Sequence, residues 1–128
     1  MVTLIVERAT EIDVINKLTE AGEINIDTTH EFNVNYSGDG VHCRAVMKAG
    51  FTAHGEPETL KIVCTVEGDF ATEKITSDED KKKVHLDCYY MLFPYAQALL
   101  MRLCTDAGLP PFYLTPLEMK EENVIIRP

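Results

Sequence analysis

The sequence predicts an α+β fold: a four-stranded antiparallel β-meander with a helical segment packed on one face. Three observations carry that expectation. Apolar residues alternate with polar ones through most of residues 2–71, the period of a strand with one buried face. Two turn-forming clusters, Ser37-Gly38-Asp39-Gly40 and His54-Gly55-Glu56-Pro57, punctuate the alternation. Beyond residue 84 the apolar spacing changes to three- and four-residue steps, the period of a helix.

In chain order, residues 2–6 are short, apolar and β-branched, and Ile12, Val14 and Ile15 resume the pattern after a polar interruption that predicts a bulged or bent strand. Ala21-Gly22 breaks the chain. Phe32, Val34 and Tyr36 then point one way, and Glu31, Asn33 and Asn35 the other. Cys43, Ala45, Met47, Ala49 and Phe51 alternate against His42, Arg44 and Lys48. Leu60, Ile62, Cys64 and Val66 do so against Thr59, Lys61, Val63 and Thr65. Residues 72–83 are densely charged and read as a solvated linker or a helix start. A helical segment is expected over 84–107, its main helix over 93–106 with Pro94 in the first turn. Leu92, Tyr95, Ala96, Leu99, Leu103 and Ala107 would face the sheet, leaving Gln97, Arg102 and Asp106 to solvent. Gly108 is a plausible C-cap, Pro110-Pro111 stops the helix, and residues 108–128 form an extended, proline-containing segment and tail. All 128 residues are expected to make one domain.

Composition narrows the function. Twelve Lys and Arg stand against 21 Asp and Glu, a net charge of −9, and such a surface repels phosphate backbones and anionic lipid. Nucleic acid and membrane are therefore excluded as expected partners. No apolar run approaches the ~20 residues of a bilayer span, and the first residues lack the basic and apolar regions of a signal peptide. The four cysteines, Cys43, Cys64, Cys88 and Cys104, form no CxxC pair. Free thiols and a cytoplasmic location are expected.

No catalytic residue, metal ligand or cofactor is nominated. His85 and Cys88 lie one helical turn apart, but no orienting group or oxyanion site accompanies them, and Cys88 is expected to be a packed thiol. Zinc sites normally show two close-spaced ligand pairs, a pattern that His85 and Cys88 with His42 or Cys43 would not make. His30 and His54 adjoin turns and are expected in solvent. The aromatics say more. Tyr89, Tyr90, Phe93, Tyr95, Phe112 and Tyr113 are six of the ten in the chain, more than cementing one helix to a sheet requires. Such a surplus suits a subunit interface or an apolar groove. The first 31 residues hold seven carboxylates against Arg8 and Lys17, which suits a solvated sheet face or a basic partner.

The segment Leu92-Phe93-Pro94-Tyr95-Ala96, followed at a fixed distance by Pro110, Leu114 and Pro116, resembles the SecB family of protein-export chaperones. Cys88 matches as well, and Val63-Cys64-Thr65-Val66 is similar to the family's Leu-Cys-Glu-Val on the fourth strand. The resemblance implies a sheet with helices on one face, assembled as a homodimer or homotetramer. It also implies a nucleotide-independent holdase that keeps unfolded or precursor polypeptides in apolar grooves and passes them to the SecA translocation motor. The candidate groove residues are Tyr89, Tyr90, Phe93, Phe112 and Leu114. Two departures stand out. Residues 118–128 look like a short strand or tail where the family has a second helix, and the family's acidic SecA-docking residue is Thr65 here. Glu7, Glu11, Asp13 and Asp27 are the candidate acidic docking residues. The alternative expectation is a non-catalytic interaction module dedicated to one protein partner.

Overall fold

A computed structural model describes residues 2–20 and 22–126. Four strands, β1 (Val2–Asn16), β2 (Ile26–Tyr36), β3 (His42–Ala53) and β4 (Leu60–Thr72), precede one long helix, α1 (Asp78–Asp106). The sheet is four-stranded and antiparallel throughout, with α1 on one face, as expected. The break at Ala21 lies outside the described residues.

The strand order corrects the meander in one place. β2, β3 and β4 are successive neighbours, but β1 lies beside β4, giving the order β1-β4-β3-β2. Residues 17–25 must therefore cross from one sheet edge to the other, about 14 Å at ~4.8 Å per strand. Nine residues span that distance easily, since an extended chain gains roughly 3.3 Å per residue. The crossing is stitched to the β3–β4 turn by Lys17 N–H donating to Thr59 O (2.8 Å) and His54 N–H donating to Asn25 O (2.9 Å). β1 carries two bulges, one between Leu4 and Val6 inside the apolar run and one between Ala9 and Glu11, where its polar interruption falls.

The expected turn at Ser37–Gly40 owes its form to Asp39. Its carboxylate accepts from Ser37 Oγ, Val41 N–H (2.9 Å), His42 N–H (3.1 Å) and His42 Nδ1 (2.7 Å). Those donors hold the carboxyl well below the usual carboxylate range.

The core lies between sheet and helix. Cys43, Ala45, Met47, Ala49 and Phe51 of β3 and Leu60, Ile62, Cys64 and Val66 of β4 are all buried, as the alternation predicts; Phe70 extends the row, and Val63, on the opposite face, is buried as well. Gly68 makes a notch in this surface. A Cβ there would lie 2.8 Å from Phe70 Cε2 and 3.1 Å from Leu92 Cδ1, so the absence of a side chain lets the helix settle at Leu92.

Two expectations about the helix are corrected. First, it begins at Asp78, inside the charged segment read as a linker or a helix start, well before the main helix expected from residue 93, and runs unbroken past Pro94. Ser77 caps it by accepting from Asp80 N–H (3.1 Å), and Asp80 reaches back to Thr76 N–H (3.0 Å) and Thr76 Oγ1 (2.9 Å). Asp78, Glu79 and Asp80 then oppose the positive end of the helix dipole. Pro94 sits on the exposed side, so the Tyr90 carbonyl that loses its partner is on the side water can reach. Second, the buried stripe is Val84, Cys88, Leu92, Ala96, Leu100 and Cys104, joined by Tyr89. Tyr95 is exposed, and Leu99, Leu103 and Ala107 are only half-buried. At the far end Gly108 adopts φ 77°, and Leu109 N–H closes on Cys104 O (2.8 Å), a glycine-terminated helix end.

Candidate functional site

The candidate groove residues gather where α1, the β2 edge and the segment after the helix meet, at different depths. Tyr89 is fully buried: its ring stands edge-on to Phe32 (5.2 Å between centroids) and lies over Phe93 (5.8 Å). Leu114 is buried too. Phe93 and Phe112 are half-buried, Phe112 against Phe51 at 4.5 Å. Tyr90 is 51% exposed. Tyr89, Tyr90 and Phe93 thus share one aromatic cluster, Phe112 pairs separately with Phe51, and burial separates the inner members from the outer ones.

Two residues expected in solvent belong to the cluster. His30 does not adjoin a turn; it sits within β2, half-buried and stacked on Tyr89 and Phe93. Its Nε2 is 3.0 Å from the Tyr89 hydroxyl. Gln97 is half-buried, donating from Nε2 to Phe112 O (2.8 Å) and accepting at Oε1 from Leu114 N–H (2.8 Å). His54 does lie in solvent, paired with Asp27 at 2.9 Å.

Beside this cluster, along β2, opens a trough of about 950 Å³. Phe32, Val34 and Tyr36 form its floor, Lys81 and His85 one wall, and the tail around Val124 the other. β2 is an edge strand of eleven residues with unbroken register against β3, and it contains neither lysine nor proline. Its outer backbone groups are thus a template for another extended chain.

Desolvation lowers the pKa of His85, and that of His30 against the smaller opposing effect of the Thr115 carbonyl. A histidine whose folded pKa lies below its unfolded value leaves stability intact above the unfolded value and lowers it as pH falls below. Thermal stability is therefore expected to drop as pH falls from the unfolded value of 6.5 towards 5, before carboxylates titrate. A His30→Gln, His85→Gln variant should flatten that slope in melting curves at half-unit pH steps; an unchanged slope would refute the assignment.

The acidic docking candidates are not brought together. Glu7, Glu11 and Asp13 lie on β1 and Asp27 on β2, at opposite edges of the sheet. By register Glu7 points to the helix side, opposite Gly68, whereas Glu11 and Asp13 point away from it. Asp13 is 3.5 Å from Lys61. The four cysteines are free and buried. Cys43 Sγ lies 3.7 Å from Cys88 Sγ, and burial alone pushes the Cys64 thiol up to about 11. Among the described residues no three His, Cys, Asp or Glu side chains form a metal-holding group, and no helix is long and apolar enough to cross a membrane.

A four-stranded antiparallel sheet with one long helix across it, ordered in this way, is a SecB-like fold. No protein-family model matches the chain, and no curated protein matches it. Among solved structures it is similar to the Mycobacterium tuberculosis Rv1957 SecB-like chaperone in complex with a ChAD peptide from the Rv1956 HigA1 antitoxin. The TM-score is 0.68 and the identity 13%, over 91% of this chain and 88% of that one. At that identity the likeness is one of fold.

Proposed function

We propose that this chain is an ATP-independent molecular chaperone, a holdase that binds unfolded or precursor polypeptides along the β2 edge and the aromatic cluster beside it. The observation that carries the reading is the trough of about 950 Å³ along an edge strand, in a SecB-like fold. Backbone pairing at an open edge with apolar contacts along one side recognises an extended chain without reading its sequence. Tyr90 and Phe93 are the candidate groove residues most accessible to a client on the helix. The homodimer or homotetramer belongs to the same proposal: β1, the other edge, exposes Ile5, Ile12 and Val14, which a second copy would cover. Hand-over to SecA would use the carboxylates of β1, Glu7, Glu11 and Asp13, with Asp27 on the far edge as a separate contact.

The test is a light-scattering titration of a chemically unfolded, aggregating model protein without nucleotide, with molar mass measured on the same sample. Suppression at near-stoichiometric ratios by a dimer or tetramer is the expected result. Phe93→Ala should raise the ratio needed severalfold without a matching loss of melting temperature; unchanged suppression would remove Phe93 from the groove.

A second reading, a non-catalytic module dedicated to one protein partner, is favoured by the peptide-bound state of the Rv1957 complex. It predicts a well-folded oligomer that leaves aggregation unchecked and binds a single polypeptide selectively.

A further inference from the structure

Residues 110–119 cross the helix without joining the sheet. Among the described residues they make no main-chain to main-chain hydrogen bond of their own. Side chains of α1 take up their backbone instead. Gln97 holds Phe112 O and Leu114 N–H, both at 2.8 Å. The Tyr89 hydroxyl accepts from Leu117 N–H at 2.7 Å, and the Tyr90 hydroxyl from Met119 N–H at 3.3 Å. A primary amide sets an N–H donor and a carbonyl acceptor side by side, the pair that a neighbouring strand's backbone offers. The segment's side chains alternate like those of a bound extended peptide. Phe112 packs on Phe51 and Leu114 is 7% exposed, while Tyr113 between them is 68% exposed.

We propose that residues 112–119 are a self-ligand: they occupy a site on α1, built from Gln97, Tyr89 and Tyr90, that binds an extended polypeptide with apolar side chains at alternate positions. A client segment of that chemistry displaces them. The inference rests on the polypeptide-binding reading above and identifies what fills its site in the free chain. All four named contacts go to backbone atoms, so the site accepts any sequence that can extend and bury two apolar anchors. Release of the segment would open about 23 Å of further groove at ~3.3 Å per residue. Leu117 and Met119 already border the trough along β2, so the two would be continuous. A tethered occupant competes at an effective concentration on the order of millimolar, so weakening its anchors strengthens client binding.

Two measurements decide this. In the first, amide hydrogen exchange is followed with and without saturating reduced, carboxymethylated α-lactalbumin, an unfolded chain whose binding is measured separately. Exchange at the segment's three bonded amides, Leu114, Leu117 and Met119, is expected to quicken at least tenfold in the complex, with β3 and β4 unchanged. Unchanged or slower exchange in a formed complex overturns the proposal. The second needs no client. A labelled synthetic peptide with the sequence of residues 111–119 should bind the Leu114→Ala chain at least tenfold more tightly than the parent chain. Gln97→Ala added to that chain should remove the gain. Phe112→Ser replaces Leu114→Ala if the latter does not fold. Equal binding by parent and variant, or indifference to Gln97, overturns the proposal. If α-lactalbumin does not bind at all, the holdase reading fails, and the peptide measurement alone decides the self-ligand.

Discussion

Gly50→Ala is expected to lower stability by at least about 3 kcal/mol, on the order of 10 °C in melting temperature. Gly50 lies within β3 at φ 150°, opposite Thr29 on one side and Val63 on the other. A Cβ built there would sit 2.0 Å from the Ile62 carbonyl oxygen and 2.7 Å from Val63 Cα. Both are backbone atoms of the paired strand, so relief requires β3 and β4 to separate, whereas a side chain would only need to turn aside. The strands concerned are the two central ones and carry most of the buried sheet residues. Gly38, in the first turn, has nothing within 4 Å of its Cβ position, so Gly38→Ala serves as the control with little expected change. Thermal unfolding of the two variants side by side checks the claim; a Gly50→Ala chain that melts with the parent would refute it.

The second large effect is expected at Tyr89. Tyr89→Ala removes a fully buried ring that touches Phe32, Phe93 and His30, and should cost roughly 3–5 kcal/mol. Tyr89→Phe separates ring from hydroxyl. The packing stays, but Leu117 N–H loses its acceptor and His30 Nε2 its partner, at a cost of about 1–2 kcal/mol. Denaturant unfolding gives both numbers. Amide exchange at Leu117 gives a local signature that packing alone would not move: it should quicken in Tyr89→Phe even under conditions where the sheet is fully protected. Equal stability of Tyr89→Phe and the parent would mean that the hydroxyl bonds hold nothing in place.

The sheet was legible in the sequence wherever its cause is local. Period-two alternation and the two turn clusters locate β2, β3 and β4 because each hairpin is encoded by adjacent residues. The place of β1 beside β4 has no local signature, since Val2 meets Thr72 and Asn16 meets Leu60 across almost the whole strand region. The helix start was hidden by its own charge. Thr76-Ser77 followed by Asp78-Glu79-Asp80 is a capping signal, but a run of charges also describes a linker, and Pro94 offered a competing first turn. The candidate groove residues stand out in the sequence as an aromatic surplus. The backbone capture by Gln97 does not, because its partners are main-chain atoms 15 and 17 positions downstream, which no side-chain pattern records.

The position of β1 bears on how the chain reaches its native state. β2, β3 and β4 can zip through two short turns, each ordering only a few residues before the next contact forms. Closing β1 onto β4 must instead bring together the two ends of the whole strand region, with the loop entropy already spent. Folding is therefore expected to divide into a fast hairpin phase and a slower docking phase. In the interval the apolar β4 edge is open to the wrong strand. A nascent chain passes through that interval with β1 synthesised first and its partner the last of the four strands, so β1 must wait, unpaired, until residues 60–72 emerge.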